Sequence, residues 1–368
     1  MASADFPRPS GRTARRPRPQ TAVRAAALIA ALGLGLTACS TGPASSTAAA
    51  PAPAAGSAFP VTIKHVFGET TIKNQPQRVV TVSWVNDDVS LALGVVPAGM
   101  PKNEWGGNAK GSTPWKDAAL DKLGAGFGSG KAPAQYSEAD GINFTEIAKF
   151  NPDVILGAYS GLTAEDYKKL SAIAPVVAQP EVAYGTSWQD STVMIGKALG
   201  KETEASKLIA DTEGAIKDKV SRYPQLAGKT FIYGNLEPAK SDGINIYTAN
   251  DNRPRFLSEI GMKLAPVVAE KSGNSKEFFI PWSAEKANEL SSDVFVSWVP
   301  DAKAADSIKA DALLGQIPAV KNGALVADSD NTLTLSISAS SPLSLPWALD
   351  AFLPKLAGAA DKAAGPGK

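Results

Sequence analysis

Along the first 60 positions the chain alternates between basic, apolar and small residues in a way found nowhere else in it. Residues 25–36 form an uncharged, largely apolar run of 12, shorter than the about 20 residues a membrane-spanning helix requires. Arg8, Arg12, Arg15, Arg16, Arg18 and Arg24 precede it, and Leu36-Thr37-Ala38-Cys39 closes it. That order predicts a secretory signal peptide over 1–38. Arg15-Arg16 hints at twin-arginine export, but Pro17-Arg18-Pro19 stand where apolar residues are expected. Residues 40–58 are Ser, Thr, Gly, Ala and Pro with almost nothing to bury, so the 39–58 segment reads as a disordered tether. A flexible chain of its length reaches roughly 25 Å.

Periodic patterning begins after residue 58. Residues 61–67 alternate as a strand, with a turn expected at 68–69 and a second strand over 70–72. Residues 78–82 are a short buried-type strand, and Asn86-Asp87-Asp88 supply helix-start chemistry for 89–93, stopped by Gly94. Ser83 to Asn86 therefore lie at the carboxyl end of a strand, where open α/β sheets place ligands. Residues 101–138 contain seven glycines, Trp105 and Trp115, and no clear period, which predicts a long loop, functional or mobile. Its Gly124 to Lys131 stretch imitates a phosphate loop, but Ala125 and Ala132 occupy positions that need Gly and Ser or Thr, so a nucleotide site is excluded.

Two stretches repeat in outline. Residues 143–156 and 283–296 each carry a cap residue, a short helix with a glutamate in its first turn (Glu146, Glu285), and an aspartate (Asp153, Asp293) opening an apolar strand. Asn143 to Glu146 has nearly the spacing of a capping box, so the glutamates could serve only as caps. Between the repeats, 203–223 places Ala205, Leu208, Ile209, Thr212, Ala215, Ile216, Val220 and Tyr223 on one helical stripe, which predicts a strut between two lobes. Strands over 230–233, 244–247, 278–280, 294–299 and 324–327 alternate with helices over 254–260 and around Glu285, and a last helix is expected over 345–356. This alternation predicts an α/β fold with mainly parallel sheets. The division is 59–200 for the first lobe, 201–225 for the joining helix, 226–358 for the second lobe, and 359–368 for a disordered tail. Each lobe is long enough to bury its own apolar centre.

Composition narrows the chemistry. Without residues 1–38 the chain keeps 31 basic and 35 acidic residues, a net charge of −4, which offers nothing to nucleic acid. One histidine, His65, and one cysteine make a zinc site or a nucleophile–histidine pair improbable. His65 falls in the first hairpin and reads as a packed or surface residue. With no G-x-S-x-G elbow, an anchored hydrolase is disfavoured, and a purely structural envelope lipoprotein would not need a two-lobed body.

Leu36-Thr37-Ala38-Cys39 resembles a lipobox, in which Cys39 is lipidated and becomes the N-terminus. Over about 60–357 the chain resembles the substrate-binding proteins of iron-siderophore ABC transporters, a group that includes ferrichrome, ferric-enterobactin and cobalamin binders. The likeness is carried by His65-x-x-Gly68, Pro76-Gln-Arg78-Val-Val, Leu91-Ala-Leu-Gly94-Val, Asn143-x-x-Glu146-Ile-Ala-x-x-x-Pro152-Asp153-Val-Ile, residues 167–177, Leu314-x-x-Ile317-Pro-Ala-Val320-Lys-x-Gly323 and Pro342 to Asp350. The resemblance implies two Rossmann-like lobes joined by one long helix, a ligand cleft between them and modest closure on binding. It implies no catalysis, iron held only as a chelate with no cofactor, and a monomer outside the cytoplasm anchored through Cys39. Glu146 and Glu285 match the residues that dock such lobes on permease subunits.

For the ligand, aromatic walls and a few donors are expected. Candidates at strand ends and cleft-side loops are Trp84, Trp105, Tyr159, Tyr184, Tyr247 and Trp298. Arg253 and Arg255 join them, since half of the four arginines left after residue 38 fall within three positions at a helix start, a setting that favours an anionic chelate. A haem or cobalamin receptor of the same fold is the alternative, tyrosine being an available haem ligand.

Overall fold

The computed structural model describes residues 59–238 and 244–363. The signal peptide over 1–38, Cys39, the tether to residue 58 and the end of the tail from 364 lie outside the described residues. In β1 (Val61–His65) Val61, Ile63 and His65 are buried and Thr62 and Lys64 exposed, as a half-buried strand requires. It pairs antiparallel with β2 (Gly68–Ile72), His65 opposite Gly68. The turn is thus Val66-Phe67, two residues earlier than expected, and Gly68 supplies the positive φ of 120° that follows it. His65 is packed: its Nδ1 accepts from the Phe67 amide at 3.2 Å, leaving Nε2 as donor to Thr70 Oγ1 at 2.9 Å. Burial lowers its pKa.

The first lobe is a five-stranded parallel sheet of β3 (Val79–Thr81), β4 (Gly99–Pro101), β5 (Ala134–Tyr136), β6 (Val154–Leu156) and β7 (Val176–Val177), ordered β5-β4-β3-β6-β7. Helices α1 (Asn86–Ala92), α2 (Pro114–Lys122), α3 (Phe144–Lys149), α4 (Ala164–Ser171) and α5 (Trp188–Ala198) connect and cover it. Strand order reverses between β3 and β6, which opens a crevice beyond their carboxyl ends. The stretch 101–138 is not structureless, since it holds α2 and β5. Thr113 caps α2 and Pro114 starts it, but Lys116 is buried beside Trp115 and Leu120, so a charge interrupts the apolar stripe that would have announced the helix.

The strut is α6 (Glu202–Val220), which buries Ala205, Thr212 and Ile216 and at 1.5 Å per residue is about 28 Å long. It packs on α5 and on the last helix of the second lobe. That lobe comprises β8 (Thr230–Leu236), β9 (Ile244–Tyr247), α7 (Asn252–Glu259), β10 (Lys263–Leu264), α8 (Pro266–Ser272), β11 (Phe279–Trp282), β12 (Val294–Trp298), α9 (Ala302–Ala310), α10 (Pro318–Lys321), β13 (Leu325–Asp328), α11 (Asn331–Ser338) and α12 (Ser344–Ala363). Its sheet runs β11-β9-β8-β12-β13 with β10 added to β8. β10, β12 and β13 are parallel, but β9 is antiparallel to both β8 and β11. Mainly parallel sheets therefore hold for the molecule, with one mixed sheet: the connection from β8 to β9, residues 237–243, is too short for a crossover. The expected tail also begins too early at 359. Helix α12 continues through Pro354 to Ala363 and buries Ala357, Ala359 and Ala360, because alanines both favour helix and fit a close interface.

The sequence repeat is a structural one. Asp153, ahead of β6, accepts from the amides of Gln77 (2.7 Å) and Arg78 (3.0 Å) at the start of β3. Asp293, ahead of β12, accepts from the amide (2.7 Å) and hydroxyl (2.8 Å) of Thr230 at the start of β8. Each carboxylate pins the amino end of the central strand in its own sheet.

The lobes do not keep separate cores. Trp188 of α5 lies in the core built on β8 and β12, while Leu335 and Ala339 from the α11 region lie in the core built on β1, β3 and β6. A buried ionic cluster also crosses the joint. Lys116 Nζ is 2.5 Å from Asp87 and 3.6 Å from Asp88, and donates to Asn103 at 2.7 Å. Asp88 Oδ2 accepts from Trp115 Nε1 (2.7 Å) and from Ser341 Oγ (2.6 Å) ahead of α12. Trp347 of α12 packs on Trp115 with ring centroids 5.1 Å apart.

Candidate ligand-binding site

The crevice between β3 and β6 is closed by a single amide. Asn86 Nδ2 donates to the carbonyls of Val82, Trp84 and Tyr159 at 2.8–2.9 Å, and its Oδ1 accepts from the Tyr159 amide at 3.1 Å. Both loops at the switch point are thereby tied together. Trp84 sits between two residues with left-handed backbone, Ser83 (φ 61°) and Val85 (φ 73°), and Tyr184 is itself left-handed (φ 55°). Non-glycine residues in this region store strain that surrounding contacts must hold. Here the Ser83 amide donates to Glu138 at 2.9 Å and the Tyr184 amide to the Ser160 carbonyl at 2.9 Å. The result is an aromatic group: Trp84 and Tyr184 centroids are 6.2 Å apart, Tyr159 and Tyr184 5.8 Å. Gly161 is required beneath it, since a Cβ there would lie 2.5 Å from the Tyr184 ring.

Glu138 follows β5. Its carboxylate also meets the Tyr136 hydroxyl at 3.2 Å. Burial pushes it up to about 7, with the Asp87 charge adding and the Ser83 amide and Tyr136 hydroxyl opposing.

The second lobe contributes a cation. Asp251 caps α7 by accepting from the Arg253 amide at 2.9 Å, and the same carboxylate takes the Arg253 side chain by two bonds, Nε to Oδ1 at 2.7 Å and Nη2 to Oδ2 at 2.6 Å. The guanidinium lies on the face of Tyr247, 3.3 Å from its centroid, and 5.9 Å from that of Tyr233. Burial works against the Arg253 charge, and Asp251 together with Tyr247 and Tyr233 outweighs it, so the net shift is upward. Arg255 takes another path. It donates to Asn252 Oδ1 (3.1 Å), to the Asn250 carbonyl (3.3 Å) and across the joint to the Gly185 carbonyl (3.1 Å). The two arginines expected to act as a pair thus divide: Arg253 stands over an aromatic platform, and Arg255 fastens α7 to the loop carrying Tyr184.

Trp105 and Trp298 meet with centroids 6.1 Å apart, and Trp298 Nε1 donates to Asn331 at 2.7 Å. The chain at Gly106 is held against α11 by the Thr332 hydroxyl at 2.9 Å. Trp84, Trp105, Trp298 and Arg253 are partly exposed and Tyr184 is exposed, whereas Tyr159 and Tyr247 are buried. Tyr159 props α11 through its hydroxyl, 3.4 Å from the Ser338 carbonyl, and Tyr247 is the bed of Arg253. Sequence reasoning missed Glu138, Asp251, Tyr233 and Asn331. Of these only Asp251 left a signal, as the cap residue of Asp-Asn-Arg-Pro.

Glu146 and Glu285 are not in this group. Asn143 caps the Glu146 amide at 3.2 Å and Lys149 pairs with its carboxylate at 2.6 Å. Glu285 is exposed on a 3-10 turn, Ala284–Glu289, rather than the helix expected there. Each lies in the segment leaving a sheet at the carboxyl end of a strand, after β5 and after β11. A separate cavity of about 360 Å³ under α12, lined by Val326, Lys355, Gly358 and Lys362 among others, shares none of the aromatics.

Comparison with known proteins bears on the same region. A family described as periplasmic binding protein matches residues 79–332. The crystal structure of PiaA from Streptococcus pneumoniae TIGR4 in complex with ferrichrome superposes with a TM-score of 0.76 at 35% identity, covering 82% of this chain and 99% of that one. In Bacillus subtilis, the Fe(3+)-citrate-binding protein YfmC is 27% identical over 82% of this chain and 89% of its own length. The probable siderophore-binding lipoprotein YfiY of the same organism is 26% identical over 66% of this chain and 68% of its own.

Proposed function

Because the chain belongs to the periplasmic binding protein family, whose members bind rather than catalyse, we propose that it captures a ferric siderophore between its lobes and delivers it to an ABC permease. The contacts that support the reading are those of Trp84 and Tyr159 with Tyr184 in one lobe, of Arg253 with Tyr247 in the other, and of Trp105 with Trp298 from one lobe to the other, at strand ends where a cleft between the lobes is expected. Such walls suit a large chelate whose iron is already saturated by oxygen donors, since flat rings supply area at little entropic cost and a guanidinium supplies a few directed bonds. Iron then enters only within the chelate, and the protein needs no cofactor.

Delivery is assigned to Glu146 and Glu285. Exposed ion pairs contribute about 0–1 kcal/mol each, so two such carboxylates on matching segments set register on a permease more than affinity. Cys39 is the proposed lipid anchor, holding the receptor outside the cytoplasm within reach of that permease. One experiment tests both halves. Titrating the domain from residue 59 with ferrichrome, ferric enterobactin, ferric citrate, haem and cobalamin should quench tryptophan fluorescence for at least one ferric siderophore. The Glu146→Ala, Glu285→Ala double variant should bind as wild type yet fail to restore uptake in cells. Quenching by haem or cobalamin alone would reassign the ligand, and normal uptake would reassign the docking surface.

A further inference from the structure

The charges around the cleft indicate which chelates it accepts. Arg253 lies on the ring of Tyr247, and both oxygens of Asp251 are already on it. Arg255 is spent on three protein oxygens. Around the hydroxyls of Tyr159, Tyr184, Tyr233 and Tyr247 stand two arginines, Arg253 and Arg255, and three carboxylates, Asp251, Asp166 and Asp328, besides Glu138, which burial holds partly protonated near neutral pH. Of these carboxylates Asp328 is paired with Lys355 at 2.8 Å. The arginines and carboxylates around these rings thus bring no surplus of the positive charge that a strongly anionic ligand needs when it leaves water. Arg253 nevertheless keeps donors to give: of the five N–H groups of a guanidinium the Asp251 carboxylate takes two.

Resting on the ferric-siderophore reading above, we infer that Asp251 makes this cleft selective for an uncharged ferric chelate of the tris-hydroxamate class, by cancelling the charge of Arg253 while leaving its free N–H groups to bond ligand oxygens. The chemistry of the chelates makes this a sharp division. Three singly charged hydroxamates cancel the charge of iron(III), whereas three doubly charged catecholates leave a trianion. An anionic chelate would meet a guanidinium already neutralised and a carboxylate beside it, so discrimination comes from the repulsive partner as much as from the attractive one.

Asp251→Asn tests this with little risk to the fold, because asparagine is an equally good cap for α7. Affinities for ferrichrome, as the uncharged probe, and for ferric enterobactin and ferric citrate, as anionic probes, are measured on wild type and D251N by fluorescence. Wild type should favour ferrichrome at least about tenfold, and D251N should narrow or reverse that preference by a similar factor. Wild-type affinity for ferrichrome should also hold steady between about 20 mM and about 500 mM salt, since an uncharged ligand has no long-range attraction to screen. Tighter wild-type binding of either anionic chelate, or a ferrichrome affinity that collapses with salt, overturns the charge inference and leaves the receptor reading intact. Failure of every ferric chelate to bind overturns the receptor reading itself. Should D251N not fold, the wild-type ranking and its salt dependence still decide.

Discussion

Two buried ionic groups lie close to the lobe joint, one built around Arg253 and one around Lys116, and they differ in parity. Around Arg253 one guanidinium meets one carboxylate, Asp251, with matched forks and an aromatic floor. Around Lys116 one ammonium meets two carboxylates, Asp87 and Asp88, with Asn103, Trp115 and Ser341 completing the shell. The first group is electrically complete. The second carries one negative charge too many, and Asp88 Oδ1 has no hydrogen-bond partner among the described residues, which leaves a seat for a proton. Burial accordingly raises Asp88 to about 6, with Lys116 opposing and Asp87 adding. A balanced buried pair has no charge left to neutralise, whereas an unbalanced one makes the fold responsive to pH.

The comparison can be broken most directly at Lys116. Replacing it with methionine strands two carboxylates in the interior, and loss of one partner from a buried ionic group costs about 3–5 kcal/mol. Urea unfolding near neutral pH should show that loss, and a loss under about 1 kcal/mol would mean the cluster is solvated. The next largest effect is on pH. The pKa of Asp88 is raised from 3.8 in the unfolded chain to about 6 in the folded one, so folding takes up a proton between those values. The resulting stability is complete below the lower value and disappears as pH rises through the upper. Wild type should therefore gain about 2–3 kcal/mol over Asp88→Asn on going from about pH 7 to about pH 4. Parallel stability profiles for the two proteins would refute the raised pKa. The smallest expected effect belongs to Ser341, whose hydroxyl donates to Asp88 and accepts from the amides of Leu343 and Ser344. Ser341→Ala should cost about 1–2 kcal/mol in the same unfolding assay. No change would place the Asp88 proton's benefit wholly within the first lobe.

What could be read in the chain follows from the range of the forces involved. Local chemistry announced itself in the stripe of α6 and the doubled segments around Asp153 and Asp293, whereas Asn86-Asp87-Asp88 form the first turn of α1 rather than its cap, which is Val85 with no side-chain bond. Helix α2 and strand β5 did not, because Lys116 breaks the apolar stripe and β5 is only three residues long, so Glu138 was hidden with them. The aromatic candidates were found by their place at strand ends, but their division of labour was not. Nothing in Tyr247 or Arg255 says that one will be a platform and the other a fastening, since both depend on partners far off in sequence or on the path of the loop at Gly185.

The exchange of Trp188 for Leu335 and Ala339 between the two cores gives the molecule a property that its two-lobed outline conceals. Each sheet completes its interior only with side chains from the other half of the chain, so neither half is an autonomous folding unit. Melting of one lobe must strip the other of buried surface, and the whole body from residue 59 to 363 is expected to unfold as one cooperative event. A protein built this way is a single all-or-none object, and it offers proteases no half-folded state in which one lobe stands alone.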